Sequence, residues 1–142
     1  ILFFDPVKNI IGAAHAGWRG AYKKIGKKMI LKLLNKGTKL NDIHVVIGPT
    51  ILQKNYEVKK DFKLRFLKQD LSNRIFFKIK QKKLYFDLSG YISTQMKNIG
   101  VKNIEIIKKD TFEPKNNFFS ARRSLKNNFD DYGRNISIIM IK

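Results

Sequence analysis

The stretch HAGWRG, residues 15–20, stands where two kinds of hydrophobic periodicity meet. Before it, ILFFDPVKNIIGAA places apolar runs at residues 1–4 and 9–14 around the turn chemistry of Asp5-Pro6-Val7-Lys8, the pattern of a β-hairpin. After it, Tyr22, Ile25, Met29, Ile30, Leu33 and Leu34 recur at helical spacing with lysines on the opposite side. That spacing predicts an amphipathic helix from Arg19 to Asn35, stopped by Gly37. A strand that passes directly into a helix, with a histidine, a tryptophan and an arginine between glycines at the joint, marks a mixed α/β chain with chemistry at the handover.

The rest of the chain continues this alternation. IHVVIGP predicts a short strand whose direction is broken by Gly48-Pro49, and residues 59–69 predict a helix with Phe62, Phe66 and Leu67 on one side. IFFKIKQKKLYFDL predicts two strands around Gln81-Lys82-Lys83. Asp87 is placed to cap a helix running to Lys97, with Leu88, Tyr91, Ile92 and Met96 inward and Gly100 as its stop. VKNIEII predicts another strand. The closing segment, DTFEPKNNFFSARRSLKNNFDDYGRNISIIMIK, predicts a loop rich in Asn and aromatics that finishes as a strand from Asn135 to Ile141. With no internal repeat and no long linker, the expectation is a single α/β domain over residues 1–142, a mixed sheet with packed helices.

Composition narrows the class. A chain of 142 residues with 43% hydrophobic and 12% aromatic residues has the make-up of a folded domain. The absence of cysteine excludes disulfides and thiolate metal ligands within the chain. No apolar run approaches the roughly 20 residues of a membrane-spanning helix and no signal peptide is visible, so no membrane partner is expected and the cytoplasm is the expected location. The formal charge of +19 would ordinarily point to nucleic acid. Yet 24 of the 30 basic residues are lysines spread along the chain, which argues for compositional drift and against a phosphate-backbone footprint. Four of the six arginines, Arg19, Arg122, Arg123 and Arg134, fall inside motif-like segments. The chain opens at Ile1, without Met and already inside an apolar strand, and is expected to be the C-terminal portion of a longer polypeptide.

Two segments carry candidate chemistry. In HAGWRG the glycines let the backbone turn and approach a ligand, the helix start favours an anion, Arg19 offers a bidentate fork, and His15 offers a metal ligand or a proton carrier. The alternative for His15 is a hydrogen-bonded structural residue, for Trp18 a core position, and for His44 a surface position beside its strand. In FFSARR at residues 118–123, followed by YGR at 132–134, adjacent arginines near aromatic faces suit a phosphate or carboxylate clamp or, equally, a solvated basic loop. IGPTILQKNYEV reads as structure alone.

Taken together, HAGWRG, IGPTILQKNYEV and DTFEPKNNFFSARR with YGR resemble, in order and approximate spacing, the laccase-domain proteins. That family is also known as multicopper polyphenol oxidases or YfiH-like proteins, and its bacterial members are regarded as zinc-dependent purine nucleoside phosphorylases. The resemblance runs across essentially the whole chain. It implies that His15 matches the family's last metal-ligating histidine, that Arg19 matches the signature arginine, and that Arg122 and Arg123 match an arginine pair by the active-site cleft. The family's other two ligands, a histidine and a cysteine, lie before HAGWRG and have no counterpart in this chain. A second departure is Asp110-Thr111, where the family commonly has Cys-Thr.

The implied activity is phosphorolysis of adenosine, inosine or methylthioadenosine, with adenosine deamination as a related activity, zinc as cofactor, and purine nucleosides and phosphate as partners. Arg19, Arg122 and Arg123 are then the candidates for phosphate, and His15 for the metal. Copper polyphenol oxidation is the alternative within the family. Outside it stand a catalytically incomplete remnant and a basic nucleic-acid-binding protein.

Overall fold

The computed structural model describes residues 1–141, which form two compact units that the chain visits in turn. The first comprises Ile1–Gly48 and Ser89–Ile107 with the residues from Ser137 on; the second comprises Pro49–Leu88 and Lys108–Ile136.

In the first unit, β1 (Leu2–Asp5) and β2 (Ile10–Ala13) make the expected hairpin, pairing Leu2 with Ala13 and Asp5 with Ile10. The turn is held by Asp5, whose Oδ1 accepts the backbone N–H of Val7 at 2.8 Å and of Lys8 at 3.0 Å. β3 (His44–Ile47) runs antiparallel to β1, and β7 (Asn103–Ile106) runs parallel to β3, giving the order β2-β1-β3-β7. A parallel neighbour requires a long crossover, and here the chain makes the Pro49–Leu88 part of the second unit and a further helix before it returns. Period-two alternation sends Phe3, Val45 and Ile47 into the core, where they are buried with Ile30, Leu33, Ile92 and Met96. The alternate positions Leu2, Phe4, His44 and Val46 line, with Ile139 and Met140, an open apolar groove of about 520 Å³.

The helix expected from Arg19 to Asn35 is two helices, α1 (Trp18–Tyr22) and α2 (Ile25–Asn35), separated by Lys24 in the left-handed region at φ 57°. Past the break, α2 brings Gly26 so near Met96 that a Cβ there would lie 3.4 Å from its sulfur. Lys23-Lys24 carries none of the Gly, Pro or Asn chemistry that would announce such a break. Gly37, at φ 86°, ends α2 as expected. α4 (Leu88–Lys97) buries Leu88, Tyr91, Ile92 and Met96, also as expected, and Gly100 follows at φ 106°.

The second unit is built on β4 (Glu57–Val58), β5 (Phe77–Lys80) and β6 (Lys83–Phe86), in the antiparallel order β4-β6-β5. α3 (Lys60–Gln69) presents Phe62 and Phe66 to this small sheet. The ring of Phe66 lies 4.8 Å from Phe86, and Phe62 stacks on Phe66 at 4.7 Å. Two expectations for the closing segment are corrected. FFSARR is not a loop throughout: Ser120 caps α5 (Ala121–Lys126), its Oγ accepting the N–H of Arg123 at 3.3 Å. Residues 135–141 form no strand; Ile136, Ile138 and Met140 are exposed, so the β-branched pattern finds no sheet edge among the described residues.

Candidate functional site

The strand-to-helix joint is tied at its root. The amino group of Ile1 donates to the carbonyl of Ala14 at 2.8 Å, and the N–H of Ala14 donates to the carbonyl of Ile1 at 2.9 Å, which closes the hairpin just before His15. Gly17 is extended (φ −60°, ψ 173°) and its carbonyl receives the N–H of Ala21 at 2.9 Å, opening α1. The carbonyl of Ala21 in turn accepts the side-chain amide of Gln95 in α4 at 3.1 Å. His15 and Arg19 are both exposed on this joint, and the Arg19 guanidinium lies 5.3 Å from the centroid of the Trp18 ring, a cation–π distance.

The two glycines serve closeness and not an unusual φ. A Cβ on Gly17 would lie 3.2 Å from Nε2 of His15, and a Cβ on Gly20 would lie 3.1 Å from the His15 carbonyl oxygen. Both glycines therefore make room for the same residue. The anion site expected at the helix start is not supported by the helix: α1 has five residues, too short for a substantial aligned dipole.

In the second unit the two adjacent arginines reach different partners. Arg123 donates to the carbonyls of Thr111 at 3.1 Å, Phe112 at 3.0 Å and Phe118 at 2.5 Å, so its fork gathers a loop. Arg122 donates to the carbonyl of Glu57 at 2.5 Å and lies 5.2 Å from the Tyr56 ring centroid. Burial raises the Tyr56 hydroxyl pKa, against an opposing pull from the Arg122 charge, and the phenol stays neutral near pH 7. Arg134 stacks on its neighbour Tyr132 at 4.0 Å and bonds that residue's carbonyl.

Three partners in this unit were not picked out by residue type or spacing. Asp110 is buried and accepts from Phe112, Leu52 and Asn55. Asn135 grips Phe119 with both ends of its amide, accepting at 2.9 Å and donating at 2.8 Å. Gly133 lies so close beneath the Phe119 ring that a Cβ there would approach within 2.5 Å. Of these, only the Gly in YGR is a sequence signal that a close approach could have been read from. Asp110 and Asn135 act over distances no local pattern records.

Among the described residues, no group of three or more His, Cys, Asp or Glu is gathered as a metal would need. A catalytic zinc takes about three protein ligands, and His15 supplies a single imidazole, so these residues do not by themselves fit the ion. Among the same residues no helix is long and apolar enough to cross a membrane.

A sequence model of the family described as multi-copper polyphenol oxidoreductase laccase matches residues 1–142. The chain belongs to that family. Its curated relatives include a purine nucleoside phosphorylase of Rickettsia conorii, 39% identical over 94% of this chain and 56% of the relative. Another, from Rickettsia prowazekii, carries the same name and is 36% identical over 100% of this chain and 59% of the relative. The hypothetical protein YfiH of Bacillus licheniformis superimposes with a TM-score of 0.78 at 28% identity, over 87% of this chain and 48% of that one. YlmD of Geobacillus stearothermophilus gives 0.77 at 27%, over the same shares. The fold is thus the YfiH-like α/β fold, and the chain spans about half the length of the relatives it matches.

Proposed function

We propose that this chain contributes the HAGWRG joint to a purine nucleoside phosphorylase site. The observation that carries the reading is the joint itself, where His15 and Arg19 are both exposed and two glycines yield space to His15. The names of the Rickettsia relatives supply the reaction class. In that reaction an oxygen of inorganic phosphate bonds to C1′ of the ribose while the C1′–N9 bond breaks. The base leaves with the bonding electron pair and takes up a proton, yielding free base and ribose 1-phosphate, or methylthioribose 1-phosphate from methylthioadenosine. Adenosine, inosine and methylthioadenosine are the substrates proposed, with adenosine deamination as a second activity of the same site.

Arg19 holds phosphate and opposes the negative charge gathering on the departing base, a role its planar fork suits. Arg122 is the second candidate for phosphate. The three carbonyl contacts of Arg123 support a positioning role for it. Zinc, the metal that the family resemblance implies, would take one nitrogen from His15. Copper chemistry would ask for still more imidazole or thiolate donors.

The test is phosphate-dependent release of hypoxanthine from inosine and of adenine from adenosine, with zinc supplied. It uses this chain, its His15→Ala variant and any upstream extension its gene encodes. Release that needs phosphate and is abolished by His15→Ala supports the reading; no release from any of these proteins contradicts it.

A further inference from the structure

The backbone of Phe112 is held from both sides. Its N–H donates to Oδ1 of Asp110 at 2.9 Å, and its carbonyl accepts from Arg123 at 3.0 Å. Asp110 is 3% exposed, and its other contacts reach far along the chain: Oδ1 also accepts the N–H of Leu52 at 3.3 Å, and Oδ2 accepts the side-chain amide of Asn55 at 2.9 Å. The Asn55 amide continues to Oε1 of Glu113 at 3.0 Å, and the Asp110 carbonyl accepts the side-chain amide of Asn116 at 2.8 Å. Segment 110–118 is thereby fixed at its start by the Asp110 carboxylate and at its end by the Arg123 fork on Phe118.

Arg123 is also the third residue of α5, and in a helix successive side chains point about 100° apart. Locking Arg123 onto the loop therefore sets the direction in which Arg122 leaves the helix, towards the Tyr56 ring and the Glu57 carbonyl. Asn55, which Asp110 holds, adjoins Tyr56 itself. The far side of Arg122 is thus set by the same carboxylate.

We propose that Asp110, acting through the Phe112 peptide and Arg123, is the positioning residue for Arg122. This rests on the reading that gives Arg122 to phosphate, and the experiment separates the two. The first readout does not involve turnover: the side-chain Nε–H resonance of Arg122, assigned by its loss in Arg122→Lys, carries the ring-current shift of Tyr56 and loses it in Tyr56→Leu. Asp110→Ala abolishes that shift, and Asp110→Asn, which keeps an oxygen for Phe112 and Leu52, restores it. Arg123→Lys, which keeps the charge and loses the fork, abolishes it too and serves if Asp110→Ala fails to fold.

The second readout is kinetic. Asp110→Ala raises the KM for phosphate about tenfold with kcat within about twofold, and adds nothing when Arg122 is already alanine. An Arg122 shift that survives both Asp110→Ala and Arg123→Lys overturns the positioning role. A lost shift with an unchanged phosphate KM upholds the positioning and overturns the assignment of Arg122 to phosphate.

Discussion

Gly17 and Gly20 approach His15 by different atoms, and this separates what their replacement does. A methyl at Gly17 meets the mobile end of the imidazole at 3.2 Å, so Gly17→Ala turns the ring aside at little cost to folding. The expected result is a Tm within about 2 °C of wild type and a loss of phosphorolysis of about tenfold or more, read by thermal melts beside the base-release assay. A methyl at Gly20 meets the His15 backbone carbonyl at 3.1 Å, which cannot swing away. Overpacking costs about 1–3 kcal/mol against about 1 kcal/mol that alanine gains in a helix, so Gly20→Ala lowers Tm. Asp5 adds a pH dependence. Burial pushes its pKa up, but the backbone hydrogen bonds from Lys8 and Val7, the nearby Thr38 hydroxyl and the Lys8 charge outweigh that and hold the carboxyl below its usual value. A depressed folded pKa stabilises fully above the unfolded value, near about 3.9, and the benefit is lost as pH falls through the folded value. Asp5→Asn is therefore expected to lower Tm at pH 7, and the gap to wild type should narrow as acid melts carry the pH down through that lowered folded value. At this scale the site was half legible. HAGWRG announces itself because few other demands place His and Arg between glycines, whereas Asp110 makes its contacts to Leu52 and Asn55 across 58 and 55 residues, which no local pattern encodes.

Elements whose periodic face meets a partner follow from the sequence, and those shaped by backbone exceptions do not. The β1–β2 hairpin, β3, α3, α4 and the β5–β6 pair follow from apolar spacing, since each buries one face or alternates across a sheet. The break at Lys24 and the cap at Ser120 each depend on one residue's local geometry inside an otherwise continuous pattern. The turn between β5 and β6 shows the same exception in testable form: Gln81 and Lys82 sit at φ 48° and 61°, the two left-handed positions of a type I′ turn, occupied by residues that resist it. Gln81→Asn with Lys82→Gly is expected to stabilise the protein by about 1 kcal/mol, raising Tm by about 2–4 °C. An unchanged or lower Tm would show that the turn carries no such strain.

Over the whole molecule, 30 basic residues face 11 acidic ones, so most lysines have no acidic partner to find. The Lys54–Glu113 and Lys83–Glu57 pairs lie on the surface and do little to offset that excess. Self-repulsion of a +19 chain destabilises the compact state, and salt screens it over about 10 Å at 0.1 M. Tm is expected to rise between about 0.01 M and 0.2 M sodium chloride, the reverse of a protein held together by surface ion pairs. The alternation in Asn135–Ile141 was legible, but its sheet partner was not, because a strand is made by its neighbours as much as by its own residues. The central claim, that the HAGWRG joint serves phosphorolysis of purine nucleosides, is tested most directly by base release from inosine and adenosine with and without phosphate. The assay compares wild type and His15→Ala, in this chain and in any upstream extension its gene encodes. The account predicts release that requires phosphate and vanishes with the imidazole. Release that His15→Ala leaves intact, or none under any condition, would contradict it.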